Sequence, residues 1–251
     1  MQDFQDKPGV AVVTGGTGGI GSAICRMLHE RGSRVALTYR SDRRAADALA
    51  GELGAVADQL DLTDAEQCAS YVNGVVERFG AIHTLVHAAG PLVRQVHLAR
   101  VEPADFAVHL AAEAGAFFNL VHAALPALRA SKGSVVAITT AATRRYPVRD
   151  GLSAGPKGAV EATARALAAE EGRFGVRVNC VGPGMLTDGM AADLMTSGDL
   201  DERALEATRR NIPLRTFGSA ADVAEAACFL ASDRAGFITG QKLDVDGGFG
   251  V

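Results

Sequence analysis

Val10-Ala11-Val12-Val13-Thr14-Gly15-Gly16-Thr17-Gly18-Gly19-Ile20-Gly21 is the stretch whose reading decides the fold. It opens as an apolar, β-branched run, which suits a strand buried in a parallel sheet. It then passes through a glycine-rich turn into a helical pattern. Ile20, Ala23, Ile24, Met27 and Leu28 recur at helical spacing, with charge at Arg26, Glu30 and Arg31. Strand, glycine turn and helix form the first half of a dinucleotide site. Glycines let the backbone approach a pyrophosphate, and the helix N-terminus offers unpaired N–H groups and a positive dipole end. A glycine pattern alone says little; the strand before it and the helix after it give it weight. The expected cofactor contacts here are Gly15, Thr17, Gly18, Gly19 and Ile20.

Moving outward, Arg34 to Tyr39 reads as a second strand and Asp42 to Leu53 as a helix. The end of the second strand should meet the adenosine ribose. An acid there would repel a 2′-phosphate, whereas an arginine favours it. Tyr39-Arg40-Ser41 carries no acid, and Arg40 can fork onto phosphate oxygens. NADPH is therefore expected over NADH; the competing reading gives Asp42 the acidic role. A third strand, Ala55 to Leu60, runs into Asp61-Leu62-Thr63-Asp64. Thr63 or Asp64 should cap the next helix, and Asp61 can accept from the adenine amino group, with Leu62 beside it. Strand Ile82 to His87 ends in Ala88-Ala89-Gly90, small residues that let the chain pass close to the cofactor. Then follow a helix over 105–130, a strand over 133–140, a helix over 152–173, a strand over 176–181, a helix over 220–232 and a last strand over 242–245. This alternation predicts a single-domain α/β Rossmann fold over residues 1–251, a doubly wound parallel sheet of about seven strands. Helical pieces broken by Gly189 and Gly198 suggest a lid-like insertion near residues 185–212.

The chain has 251 residues, 48% hydrophobic and 22% charged, enough for one large domain. A net charge of -4 gives no reason to expect a nucleic-acid partner. Met1 to Pro8 is polar and does not read as a signal peptide, and no apolar run is expected to reach membrane-spanning length. Cys25, Cys68, Cys180 and Cys228 are scattered, without metal-binding spacing, and read as small core residues in a reduced, cytoplasmic protein.

These motifs resemble the short-chain dehydrogenase/reductase family along nearly the whole chain. Thr14 to Gly21 is similar to its TGxxxGIG loop. Asn179-Cys180-Val181-Gly182-Pro183-Gly184 followed by Thr187 looks like its nicotinamide-side segment. Pro213-Leu214-Arg215, Phe229-Leu230-Ala231-Ser232, Ile238-Thr239-Gly240-Gln241 and Val245-Asp246-Gly247-Gly248 look like its C-terminal signature. The flavour is that of β-ketoacyl carrier-protein reductases. The resemblance implies cofactor contacts at Pro183, Gly184 and Thr187, a homotetramer or homodimer, and a small-molecule substrate. Arg129, Lys132 and Arg173 resemble basic positions that face an acyl carrier protein.

The family's chemistry uses Asn, Ser, Tyr and Lys. Its YxxxK unit here reads Ser153-Ala154-Gly155-Pro156-Lys157; Thr140 stands for the serine, Glu113 for the asparagine, and His87-Ala88-Ala89-Gly90 for NNAG. Lys157 alone is retained by identity. It is expected to hold the ribose, while Thr140 and Ser153 hydrogen-bond a substrate carbonyl. A Ser153 hydroxyl is a far poorer acid than a phenol, so another group must serve. Tyr146 is the nearest tyrosine in sequence, with Asp150, His87 and Glu113 as further candidates; Glu113 equally suits an ion pair with Lys157. The expected function is NADPH-dependent reduction of a ketone or conjugated alkene on an acyl-thioester or polyketide-like substrate. Two alternatives stand beside it: a non-redox cyclase or isomerase using Arg94, Arg144, Arg145 and Arg149, or a non-catalytic cofactor-binding protein.

Overall fold

The computed structural model describes residues 2–188 and 202–251. Seven parallel strands form one sheet: β1 Val10–Thr14, β2 Val35–Tyr39, β3 Val56–Gln59, β4 Ile82–His87, β5 Ser134–Ile138, β6 Arg177–Pro183 and β7 Lys242–Val245. Their spatial order is β3-β2-β1-β4-β5-β6-β7. The chain winds outward from β1 in one direction, then returns to β4 and winds the other way. In such a sheet the ligand crevice lies outside the C-terminal ends of the two strands where the order reverses, here β1 and β4.

Every residue of β1 is buried. Successive side chains face opposite sides of the sheet, so β1 seeds two cores. Ala11 and Val13 pack with Ile24 and Leu28 of α1 (Gly19–Glu30) and with Val223, Ala227 and Leu230 of α8 (Ala220–Ala231). Val10 and Val12 join Val72 and Val75 of α3 (Ala65–Phe79), Phe117 and Leu120 of α5 (Ala116–Ser131), and Val160 and Leu167 of α6 (Gly151–Glu171). The remaining described α-helices are α2 (Arg43–Leu53), α4 (Pro103–Leu110) and α7 (Glu202–Arg210).

Several expectations change. The helix expected over 105–130 runs from Pro103 to Ser131, interrupted by a π-helical turn at Ala111–Gly115. By length and composition it is apolar enough to cross a membrane, which corrects the expectation that no segment would be. Its apolar stripe, Phe117, Leu120, Val121, Ala124 and Leu128, is buried beneath the sheet. The fifth strand stops at Ile138 because Thr140 caps a short turn at Ala141–Thr143. The sixth runs on to Pro183, since Gly182 and Pro183 pair with Asp244 and Val245. Of the lid-like insertion, residues 189–201 lie outside the described residues; Leu186 is buried and bridges to Gly218.

Of the two capping candidates, Asp64 is the cap: its Oδ1 accepts from the N–H groups of Glu66 and Gln67 at 2.9 and 3.0 Å. Asp64→Ala should cost about 1 kcal/mol, read as a lowered urea midpoint with an unchanged slope. An unchanged midpoint would show that water replaces the cap at no cost.

Candidate active site

The glycine turn has the geometry of a phosphate cradle. Gly15 adopts φ +64°, and a Cβ there would lie 2.7 Å from Ala89 Cα. At Gly21 a Cβ would lie 2.1 Å from the Gly15 carbonyl oxygen. Neither position tolerates a side chain, so the turn lies flat against the end of β4 and the start of α1. Gly18 caps α1 without any side-chain hydrogen bond, which leaves first-turn N–H groups for an anion. Ile20 packs beneath, against the core.

At the end of β2, Tyr39 is buried and Arg40 and Ser41 are exposed. Gln59 Nε2 donates to the Arg40 carbonyl at 2.8 Å, which fixes the strand end. Asp42, the residue of the competing reading, caps α2: its Oδ1 accepts from Ala45 N–H at 2.9 Å. Asp61 accepts from the backbone N–H and hydroxyl of Thr63 at 2.9 and 2.7 Å. These bonds hold its carboxyl below the usual range. Leu62 is buried beside it, and Asn119 of α5 donates to the Leu62 carbonyl at 3.0 Å.

Thr14 ties the two strand ends together. Its hydroxyl oxygen accepts from Ala88 N–H and Ala89 N–H, each at 3.2 Å, and lies 3.3 Å from His87 Nδ1. With both lone pairs engaged, the hydroxyl donates to Nδ1, which places the imidazole proton on Nε2. That Nε2 is buried without a partner. Burial, and secondarily the Lys157 charge, push His87 down to about 3, so the ring is neutral at ordinary pH.

Lys157 Nζ meets Glu113 Oε1 at 2.5 Å, with side chains 14% and 3% exposed. Glu113 lies in the π-helical turn, an interruption often found at functional positions. A Cβ at Gly90 would fall 2.9 Å from Glu113 Oε1 and 3.4 Å from Lys157 Nζ. Gly90 therefore lets the β4 end pass directly over the ion pair.

The stand-ins for the family's serine and tyrosine lie on neighbouring elements. Thr140 Oγ1 accepts from Ala142 N–H at 3.1 Å, leaving its own proton to donate. Ser153 is half-buried in the first turn of α6. Tyr146 is 67% exposed, without a hydrogen bond among the described residues, and nothing joins it to Lys157. Asp150 precedes α6 but does not cap it. Its Oδ1 instead accepts from Gln95 Nε2 at 2.8 Å. Burial pushes its carboxyl up, opposed by the Gln95 bond and the Lys157 charge. Arg149 in turn donates through Nε and Nη2 to the Gln95 carbonyl at 3.2 and 3.0 Å. Reading the sequence missed Gln95 entirely, since a lone glutamine in a loop carries no pattern.

The remaining expected contacts lie at and beyond the end of β6. Pro183 ends β6, and a Cβ at Gly184 would lie 2.7 Å from Asp246 Cα. Thr187 is pinned to Gly218 through its N–H at 2.9 Å and its hydroxyl at 3.3 Å. The arginines expected to act together do not converge. Arg94 lies 4.0 Å from Asp105 and Arg144 lies 3.7 Å from Asp244, while Arg145 donates to the Phe249 carbonyl. Of the basic positions compared with a carrier-protein surface, Arg129 forks onto Glu171 at 2.6 and 2.7 Å; Lys132 and Arg173 are exposed.

A family model described as enoyl-(acyl carrier protein) reductase matches residues 15–250. L-fucose dehydrogenase of Oryctolagus cuniculus is 34% identical over 95% of this chain and 84% of its own. The 3-oxoacyl-[acyl-carrier-protein] reductase FabG of Staphylococcus aureus is 32% identical, over 95% and 96%. A short-chain dehydrogenase from Burkholderia cenocepacia, solved in complex with NADP, superposes with a TM-score of 0.88 at 30% identity, covering 98% of this chain and all of that one. The strand order, the glycine cradle and these matches agree: the chain belongs to the short-chain dehydrogenase/reductase family of oxidoreductases.

Proposed function

We propose that this protein is an NADPH-dependent reductase of a ketone or conjugated alkene on an acyl-thioester or polyketide-like substrate, working without the family tyrosine. The observation that carries this reading is the continuity of the crevice. The glycine cradle runs by way of Thr14 and Ala88-Ala89-Gly90 onto the buried Lys157–Glu113 pair. A purely structural protein would not need each of these. Gly15 and Gly21 let the turn pack onto the end of β4 and the start of α1, where a Cβ would strike backbone, and that tight turn supports the dinucleotide reading. When bound, the reduced nicotinamide supplies hydride. In this reading Arg40 takes the 2′-phosphate and Asp61 the adenine amino group, while Pro183, Gly184 and Thr187 flank the nicotinamide side. Lys157, held by Glu113, offers its remaining N–H donors to the ribose. Thr140 and Ser153 donate to the substrate carbonyl oxygen.

The proton donor in this reading is Asp150. Helical side chains lean toward the N-terminus and cover the preceding turn. A phenol at position 153 would therefore reach over the turn that begins at Asp150. The carboxyl there is turned away from its own helix end, and burial favours its protonated form. The exposure of Tyr146 makes it the weaker candidate. Conjugate reduction asks less of this acid, because the carbonyl oxygen then needs only stabilisation. Four buried, unpaired cysteines suit a reducing cytoplasm, and exposed Phe106, Leu110 and Phe118 suit a homodimer or homotetramer.

The test is a titration with NADPH and NADH, followed by a panel of 3-oxoacyl and 2-enoyl thioesters monitored by loss of reduced-nicotinamide absorbance. NADPH should bind at least about tenfold more tightly than NADH, and Arg40→Ala should erase that preference. Tighter NADH binding would defeat the role given to Arg40. Firm NADPH binding with no oxidation across the panel would count against reduction.

A further inference from the structure

We propose that the cleft between the loop over residues 91–102 and the start of α6 is an oxyanion site, which takes a carboxylate or phosphate at the far end of the substrate. This rests on the reading of the crevice as a reductase site. The cleft has a volume of about 320 Å³ and is lined by Gln95, Val96, His97, Arg100 and Arg149. That size suits a small molecule or part of one. Two guanidinium groups, an imidazole and a carboxamide line it, with no carboxylate among them.

The two arginines are positioned differently from the others nearby. Arg94, Arg144 and Arg145 are each directed to a partner of their own. Arg100 makes no ion pair or side-chain hydrogen bond among the described residues. Arg149 spends two of its five N–H donors on the Gln95 carbonyl, which leaves donors for a planar or tetrahedral anion. Its backbone sits at φ +77°, a conformation that side-chain-bearing residues rarely adopt. Such strain persists where the surroundings enforce it, and it gathers at ligand clamps. Here the strained residue forks onto the Gln95 carbonyl, and Gln95 in turn bonds Asp150.

Gln95 thus joins the cleft to the reacting end of the crevice. Asp150 lies three residues before Ser153, a rise of about 4.5 Å along a helix. In this proposal an anion held by Arg100 and Arg149 is the far end of a substrate whose carbonyl lies at Ser153, with Gln95 and Asp150 between them. Leu98 packs on Gly151, where a Cβ would lie 2.6 Å from Leu98 Cδ1, so the loop is seated closely on α6. The arrangement selects substrates with an acidic terminus over neutral ones.

The test uses calorimetric titration of the full-length protein with inorganic phosphate and, separately, with glutarate. Saturating NADPH is added so that the cofactor cradle is filled. Wild type should bind at least one anion, and the tighter of the two names the group. Arg100→Ala and Arg149→Gly should each weaken that binding by about tenfold, with NADPH affinity unchanged. Glycine at 149 keeps the backbone conformation, so its effect reports the guanidinium. Absence of binding by both anions, or variants that bind them as wild type does, would overturn the proposal. Failure to bind NADPH would count against the reductase reading alone. The anion titrations on cofactor-free protein would still report the difference between wild type and variants.

Discussion

Lys157→Ala should destabilise the protein by about 3–5 kcal/mol, the usual cost of removing one partner from a buried ion pair. Glu113 is 3% exposed, and its Oε1 lies 2.5 Å from the lysine nitrogen. Without that cation, a carboxylate remains inside the protein with no compensating charge. Desolvation, which the pair shares while intact, then falls on Glu113 alone. The same variant should lose at least about tenfold in NADPH affinity, because the crevice loses the cation next to Gly90.

A second variant separates the two effects. Lys157→Met combined with Glu113→Leu removes both charges and keeps most of the volume. Replacing a whole buried pair with apolar residues is often neutral, so most of the stability should return while NADPH affinity stays low. Urea unfolding reads the first quantity and fluorescence titration the second. An alanine variant that unfolds like wild type at neutral pH would show that the pair is not sealed from water. A double variant that binds NADPH normally would remove Lys157 from the cofactor site.

The parts of this protein legible in the sequence are those governed by local rules. Val10 to Thr14 read as a buried strand because its alternate side chains serve two cores, and the glycines after it mark places where a Cβ has no room. Asp64 was one of two candidate caps, since both residue types can accept from a free N–H; only the turn geometry chose between them. The ion pair was anticipated as one role for Glu113. The π-helical turn that carries it was not, since an extra residue per turn leaves no periodic signature across five positions. The group around Asp150 was hidden for a related reason. It depends on Arg149 at a positive φ, which arginine does not signal, and on a glutamine 55 residues away in sequence. The neighbouring arginines looked like one cluster because sequence proximity says nothing about direction. In space they leave toward Asp244, Phe249 and Gln95.

Asp150→Asn should lower kcat by about 10²-fold with little change in KM, a modest value for loss of a general acid. Asparagine keeps the shape and can still bond Gln95, but it has no proton to give. Reduction consumes a proton, so Asp150 must be protonated to act. Because burial raises its folded-state pKa, activity should persist above the ordinary aspartate range and fall as pH rises through that raised value. The falling limb should vanish in Asp150→Asn. The sign for stability follows from the same shift. With the folded pKa above the unfolded one, the contribution of Asp150 is fully present below the unfolded pKa and is lost as pH rises through the folded value. The asparagine variant should therefore match wild type in acid and exceed it at neutral pH, a readout independent of any substrate. Adding Ser153→Tyr to Asp150→Asn supplies a phenol that leans over the same turn and should restore part of the lost kcat, now with the pH dependence of a phenol. An Asp150→Asn variant that keeps the wild-type rate and pH profile would end the case for this carboxyl as donor. Loss of rate with the falling limb intact would make Asp150 a positioning residue, holding Gln95 in place while another group gives the proton.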